Sequence, residues 1–204
     1  MSQTFGKTRW KRFAVVMVPS VAATAAIGVS MAQGALAASF SIAGQSFKVS
    51  ADSLHGDGFG QYGTVDVAKN GKQVPVAVSS FKDATIHNLC QSVPVSLGPL
   101  GTYTMQIKAG GGSQPVTAKN LFIDMTDLKA STATFHNINI GVAAGAMTKG
   151  QTNSQDKVDP NSFAQESDSA DLSGVKQTAW ATSAGTFALA GMHLSMSAGQ
   201  HDCF

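Results

Sequence analysis

A short phrase that recurs along the chain constrains its fold more than any other feature of the sequence. The stretch 116–142 contains the phrase twice, around Asn120 and around Asn137, which lie 17 positions apart. In each copy an apolar residue, a polar residue and the asparagine are followed by alternating apolar positions. Such a recurring unit predicts a repetitive architecture. Related phrases are centred on four further residues: Gly44, Asn88, Gly174 and Gly191.

The physical interpretation of the phrase is a β-strand with a bend. Alternating apolar and polar residues are typical of a strand with one buried face, and here the alternation slips by one residue at the asparagine or glycine. These two residue types tolerate a positive φ best, so we expect a bulge or tight bend at each. The spacing of 17 residues fits one coil of a solenoid-like stack and equally a pair of strands in a sandwich. We therefore predict an all-β, repetitive β-sheet domain of one of these two kinds.

The first 38 residues are typical of an export signal. Four basic residues precede an uncharged run at 13–32, and Ala35-Leu36-Ala37 suits a cleavage site. We predict a hydrophobic signal segment over 1–38 and a single extracellular β-rich domain over 39–204. A retained membrane anchor is the alternative, because the apolar run is long enough to span a bilayer. In both cases the remainder of the chain is exported, either secreted or associated with the cell surface.

Removal of the signal segment changes the charge balance of the protein. The whole chain has 14 Lys and Arg residues against 12 Asp and Glu residues. Four of the basic residues and none of the acidic ones lie in the signal segment, so the mature domain would have a net charge of −2. No arginine follows Arg12. Such a domain is poorly suited to bind nucleic acid or an anionic membrane surface. We expect no nucleic-acid partner, and membrane contact only through an uncleaved N-terminal segment.

Two cysteines, Cys90 and Cys203, lie in the part that is predicted to be exported. An even number of cysteines outside the cell favours a disulfide bond. The bond would tie the C-terminus to the phrase around Asn88. A reactive thiol is the alternative, but no local signature supports it, so we predict the disulfide.

Two stretches depart from the β pattern. The first, His55 to Gly63, has four glycines in nine residues and predicts a loop. The second, 143–170, is polar and carries four acidic residues. Within it Asp159-Pro160 is typical of a helix start, so we predict one short helix over Pro160 to Ser167 in a long insertion loop. Loops of this length are often functional, and a plain surface insertion is the alternative.

Candidate chemistry centres on two histidines. The chain has neither a GxSxG nor an HExxH motif. His87 and His136 occupy the same place in their phrases, directly before Asn88 and Asn137. If the phrases stack, the two imidazoles point the same way and could act as a general base or bind a metal; equally, they are solvent-facing polar positions. We take them as candidate catalytic residues with an unknown nucleophile, and predict neither a metal nor a cofactor.

Four stretches have a characteristic combination of residues: KTRWKRFAVVMVPSVAATAAIG, FSIAGQSFKVSADSL, VTAKNLFIDM and KQTAWATSAGTF. Together they resemble a family of small secreted actinobacterial proteins that are commonly labelled cholesterol esterase. The resemblance implies hydrolysis of sterol esters outside the cell, with an apolar lipid or sterol ester as the partner. The resemblance identifies no catalytic residue in this chain. The alternative, motivated by low charge and an apolar sheet face, is a non-catalytic protein that binds lipid or self-associates at the cell surface.

Overall fold

The computed structural model describes residues 44–204, and the predicted signal segment lies outside the described residues. The described chain is built of β-strands, with two single 3-10 turns at Gly98–Leu100 and Ala144–Ala146. The strands form one antiparallel sheet. Their bounds are β1 Phe47–Val67, β2 Gln73–His87, β3 Leu89–Ser96, β4 Thr102–Ala109, β5 Val116–Lys129, β6 Thr132–His136, β7 Asn139–Ala143, β8 Phe163–Ser183, β9 Thr186–Ala188 and β10 His193–Ala198.

The sheet closes on itself through its longest strands. Strand β1 pairs with β2 and also with β8. Strand β5 completes the ring, because it pairs with both β2 and β8. The prediction of an all-β domain is confirmed. The strands, however, belong to one curled sheet instead of the solenoid-like stack or the sandwich expected from the sequence.

The bends expected at the recurring phrase are present. Asn88, Asn120 and Asn137 have φ values of 51°, 48° and 52°, and they are the non-glycine residues with positive φ in the described part of the chain. Gly174 and Gly191 also have positive φ, at 58° and 62°. Each bend therefore has the left-handed backbone that asparagine and glycine adopt most readily. The poorest match to the phrase, Gly44, is not among the positive-φ residues.

The bends return apolar side chains to the interior. At Asn120 two exposed residues separate the buried Ala118 from the buried Leu121. At Gly174 the buried Leu172 and Val175 stand three positions apart, although strict alternation would place them on opposite faces. This one-residue shift in the alternation directs the apolar side chains of β5 and β8 toward the inside of the ring on both sides of each bend. The largest core cluster lies there, with members on β1, β2, β5 and β8 that include Phe59, Phe81, Ile123 and Met125.

The prediction of a helix over Pro160 to Ser167 is wrong. The side-chain carboxylate of Asp159 accepts a hydrogen bond from the Asn161 N–H at 2.9 Å. The backbone carbonyl of Asp159 accepts another from the Ser162 N–H at 2.9 Å. Asp159 thus closes a tight turn, and β8 begins at Phe163. The alternation of buried and exposed positions after that residue is that of a strand. Within residues 44–204 there is no helix long and apolar enough to cross a membrane.

The predicted disulfide is confirmed. Cys90 on β3 is bonded to Cys203, with their Cα atoms 5.9 Å apart. The Cys203 N–H also donates to the Ser92 hydroxyl at 3.0 Å, and Lys48 pairs with Asp202 at 3.0 Å. The C-terminus is therefore held against β1 and β3 by a covalent bond and by polar contacts.

Candidate functional site

The interior of the closed sheet contains an apolar cavity of about 240 Å³. Its mouth lies beside β6 and the end of β5, where Ala133 is exposed and Leu128 and Phe135 are half-buried. The cavity walls are mostly aliphatic and aromatic side chains from five strands and from the turn after β5. The lining residues are Leu54, Phe59, Gln61, Ser79, Phe81, Ile123, Met125, Leu128, Ala130, Ala133, Phe135, Leu172, Val175 and Gln177.

Three phenylalanines form one wall of this cavity. The Phe59 ring lies between Phe81 and Phe135, with ring centroids 5.5 Å and 5.0 Å apart and tilted by 44° and 43°. These separations are in the range of favourable aromatic pairs. The rings are held on three different strands, β1, β2 and β6, so the wall is fixed by the sheet and not by a loop.

A polar network of two histidines and a carboxylate lies on the outer face of the sheet. Asp171 on β8 accepts a hydrogen bond from His55 Nδ1 at 2.7 Å and another from His136 Nε2 at 3.0 Å. These two hydrogen bonds hold the pKa of Asp171 below its usual range. Ser169 stands directly opposite His136 in the β6–β8 pairing. A histidine oriented by a carboxylate with a serine nearby is the arrangement of parts that a serine hydrolase uses.

The structure places the two predicted histidines apart. His87 ends β2 and stands opposite Ser53 on β1, whereas His136 stands opposite Ser169 on β8. Strands β1 and β8 lie between them, so His136 is grouped with His55 and not with His87. His55 and Asp171 were not recognised from the sequence as partners of His136. Their positions in the chain carry no shared motif, and only the pairing of β1, β6 and β8 brings them together.

Beside His55 lies a second depression of about 330 Å³, lined mostly by polar and charged residues. Asp57, Asp83 and Lys119 contribute to it, and the Lys119 ammonium lies 3.5 Å from the Asp83 carboxylate. Among residues 44–204 no three histidine, cysteine or acidic side chains are arranged to hold a metal ion. In the described part of the chain this face offers exposed acid and base groups beside the depression.

Buried carboxyl groups lie beneath the loop between β7 and β8. Asp66 and Asp124 are 9% and 6% exposed, and Asp66 Oδ2 has no hydrogen-bond partner among the described residues. Burial, with the nearby charge of Asp156, raises the pKa of Asp66 to about 6. Burial raises the pKa of Asp124 to about 7, with added contributions from Asp66 and Asp156. Tyr62 donates to Asp156 Oδ2 at 2.7 Å, so the hydroxyl joins this cluster to the loop.

Replacing Asp124 by asparagine should remove a pH-dependent loss of stability. The folded protein holds the Asp124 proton more tightly than the unfolded chain does, so the stability from this group is complete below about pH 4 and is lost as the pH rises through about 7. We expect Asp124→Asn to be more stable than the wild type by roughly 3–4 kcal/mol near pH 8 and equal to it near pH 4. Urea unfolding across this pH range measures the difference. The exposed Asp127→Asn on the same strand is the control, and parallel pH profiles of wild type and Asp124→Asn would contradict the expectation.

The loop between β7 and β8 is fastened to the sheet by Glu166. This carboxylate is 2% exposed. Its Oε2 accepts hydrogen bonds from the backbone N–H groups of Thr148 and Lys149, both at 2.7 Å, and from that of Gly150 at 3.4 Å. Asn139 donates to Oε1 at 3.2 Å. Burial alone would raise the pKa of Glu166, but these hydrogen bonds outweigh it and hold the pKa below its usual range.

Fold and site together define an all-β protein whose single closed antiparallel sheet surrounds an apolar cavity. The chain belongs to the DUF6230 family, a family of unknown function, whose model matches residues 43–204. Neither the curated proteins nor the solved structures contain a match to the chain. The comparisons therefore assign a family without an activity.

Proposed function

We propose that this protein is an exported lipid-binding protein that holds a single short alkyl or acyl chain inside its closed sheet. The observation that carries the proposal is the apolar cavity of about 240 Å³. Its walls come mostly from the ring strands, and unfilled apolar space leaves their side chains without contacts on one side. A bound hydrocarbon chain would supply those contacts. The Cys90–Cys203 disulfide supports the oxidising, extracellular setting.

The size of the cavity limits the ligand. An apolar cavity of about 150 Å³ is sufficient for benzene, so about 240 Å³ suits a chain of roughly eight methylene groups, taking each as similar in volume to one water in the liquid, about 30 Å³. A whole sterol nucleus is larger than this space. The ligand we propose is therefore a single aliphatic chain.

Closing the mouth of the cavity should abolish binding. Ala133 is exposed at the mouth and lines the cavity, whereas the neighbouring Thr134 stands opposite Asp171 on the outer face. We expect Ala133→Trp to weaken the binding of 1-octanol by at least about tenfold, a change of about 1.4 kcal/mol, and Thr134→Trp to leave it unchanged. Isothermal titration calorimetry measures both. Absence of octanol binding by the wild-type protein would overturn the proposal.

Hydrolysis of sterol esters is the second candidate, and the hydrogen bond between His136 and Asp171 favours it. Attack by the Ser169 hydroxyl, with His136 accepting its proton, is the chemistry that this grouping would support. The histidine lies on the outer face while the neighbouring Phe135 lines the cavity, which is why we rank this candidate second. Cholesteryl ester turnover by the wild type that is lost in both His136→Ala and Ser169→Ala would establish it. Turnover that survives in either variant would remove it.

A further inference from the structure

Gln177 is a buried polar side chain that faces the apolar cavity from β8. It is 5% exposed, and the inward positions on either side of it are the buried Val175 and Ala179. Its pairing partners, Val49 on β1 and Leu128 on β5, are apolar as well. Within residues 44–204 no group forms a hydrogen bond with its amide. The amide atoms are not among the fully buried polar atoms that lack a partner, so they contact the open space of the cavity, where a bound molecule can reach them.

The other polar groups of the lining are already engaged. The Gln61 amide donates to the Ser79 hydroxyl at 3.0 Å, and the Gln165 amide donates to Gln61 Oε1. Gln61 thus links Ser79 on β2 to Gln165 on β8. The Gln177 amide retains both a donor and an acceptor for a bound molecule.

The lining also restricts the charge of a ligand. None of the described residues that line the cavity is charged. A carboxylate or an ammonium group placed in an apolar space without an opposite charge loses far more hydration than one amide can replace. An alcohol or an ester loses much less hydration and can hydrogen-bond to an amide.

We propose that the cavity selects an uncharged single-chain lipid whose hydroxyl or ester carbonyl oxygen hydrogen-bonds to the Gln177 amide. This inference rests on the proposed function and names the ligand class for the same cavity. The amide N–H donates to the oxygen of the head group, and with an alcohol the amide oxygen also accepts the hydroxyl proton. The alkyl chain lies along the wall that Phe59, Phe81 and Phe135 form.

Calorimetric titration of the full-length protein near pH 8 with 1-octanol, methyl octanoate and sodium octanoate tests the selection. We expect the alcohol or the ester to bind at least about tenfold more tightly than the carboxylate. The tighter of the two neutral ligands identifies which oxygen Gln177 recognises. Equal or tighter binding of octanoate would overturn this inference while leaving the lipid-binding function in place. No binding of any of the three would overturn the function itself.

A variant separates recognition by Gln177 from a structural role. Gln177→Met keeps the length of the side chain and removes the amide, so we expect affinity for the preferred neutral ligand to fall by roughly three- to tenfold. The ligand-free variant should unfold at a urea concentration no lower than the wild type, because methionine suits the apolar lining and no hydrogen bond to a described residue is lost. The exposed Gln73→Met at the start of β2 is the control. Unchanged affinity in Gln177→Met, or the same loss in the more conservative Gln177→Glu at a pH where it is neutral, would overturn the assignment to the amide.

Discussion

Replacing Cys90 and Cys203 together by serine should lower the free energy of unfolding by about 3–5 kcal/mol. The bond closes a loop with a sequence separation of 113 residues. In the chain-entropy model, cross-linking a loop of this size restricts the unfolded chain by an amount on the order of 4–5 kcal/mol. Urea unfolding of the variant and of the oxidised wild type measures the difference.

A reducing agent provides the matched comparison for the disulfide. It should lower the stability of the wild type to that of the double variant and leave the double variant unchanged. A stability difference below about 1 kcal/mol would contradict the expectation and show that the unfolded chain is already compact enough for the bond to restrict it little.

Replacing Glu166 by glutamine should destabilise the protein by about 2–4 kcal/mol. The substitution places an amide N–H₂ or a neutral oxygen where the carboxylate now accepts hydrogen bonds from the backbone of Thr148 and Lys149. Buried donors that lose a charged acceptor are left underpaired at a cost of this size. Because the pKa of Glu166 is lowered on folding, its stabilisation is present at neutral pH and is lost as the pH falls into the acid range.

Amide hydrogen exchange locates the effect of the Glu166 substitution. Protection should fall at Thr148 and Lys149 in Glu166→Gln and remain in the paired part of β1. Asp168→Asn on the same strand is the control, since Asp168 is exposed and contacts the side chains of Asn137 and Lys149. Equal stability losses in the two variants would contradict the anchoring role of Glu166.

The local bends of the fold could be predicted from the sequence because their cause is local. The side chains of Asn88, Asn120 and Asn137 tolerate a left-handed backbone, and the slip in apolar alternation is visible beside each of them. The disulfide could be predicted for a similar reason, since two cysteines in a chain that is predicted to be exported have one intramolecular pairing. The closure of the sheet could not, because the pairing of β1 with β8 joins distant segments that share no local signal.

The glycine-rich stretch from His55 to Gly63 shows how a local signal can mislead. We predicted a loop, yet the whole stretch belongs to β1. At Gly56 a Cβ atom would lie 2.2 Å from the Phe81 ring, and at Gly60 one would lie 3.1 Å from the Cα atom of Gly150. These glycines make room for an aromatic ring and for the neighbouring loop. Sequence alone does not distinguish a glycine that turns the chain from one that lets another group approach.

The candidate site was less accessible to prediction than the fold. His136 could be singled out by its place before Asn137, but its partners His55 and Asp171 reach it only through strand pairing. The cavity depends on the same closure, since its lining is drawn from strands throughout the chain. A strand pattern predicts which residues face inward, and it does not predict how much space they enclose.

The ring of strands also sets the order in which the chain can fold. Strand β1 lies near the beginning of the described chain, and its pairing with β8 involves residues as late as Ala179. The nascent chain therefore cannot complete its core until the final quarter has been made. A topology dominated by such non-local contacts folds slowly, and the unpaired edges of β1 and β5 stay exposed to other chains during that time.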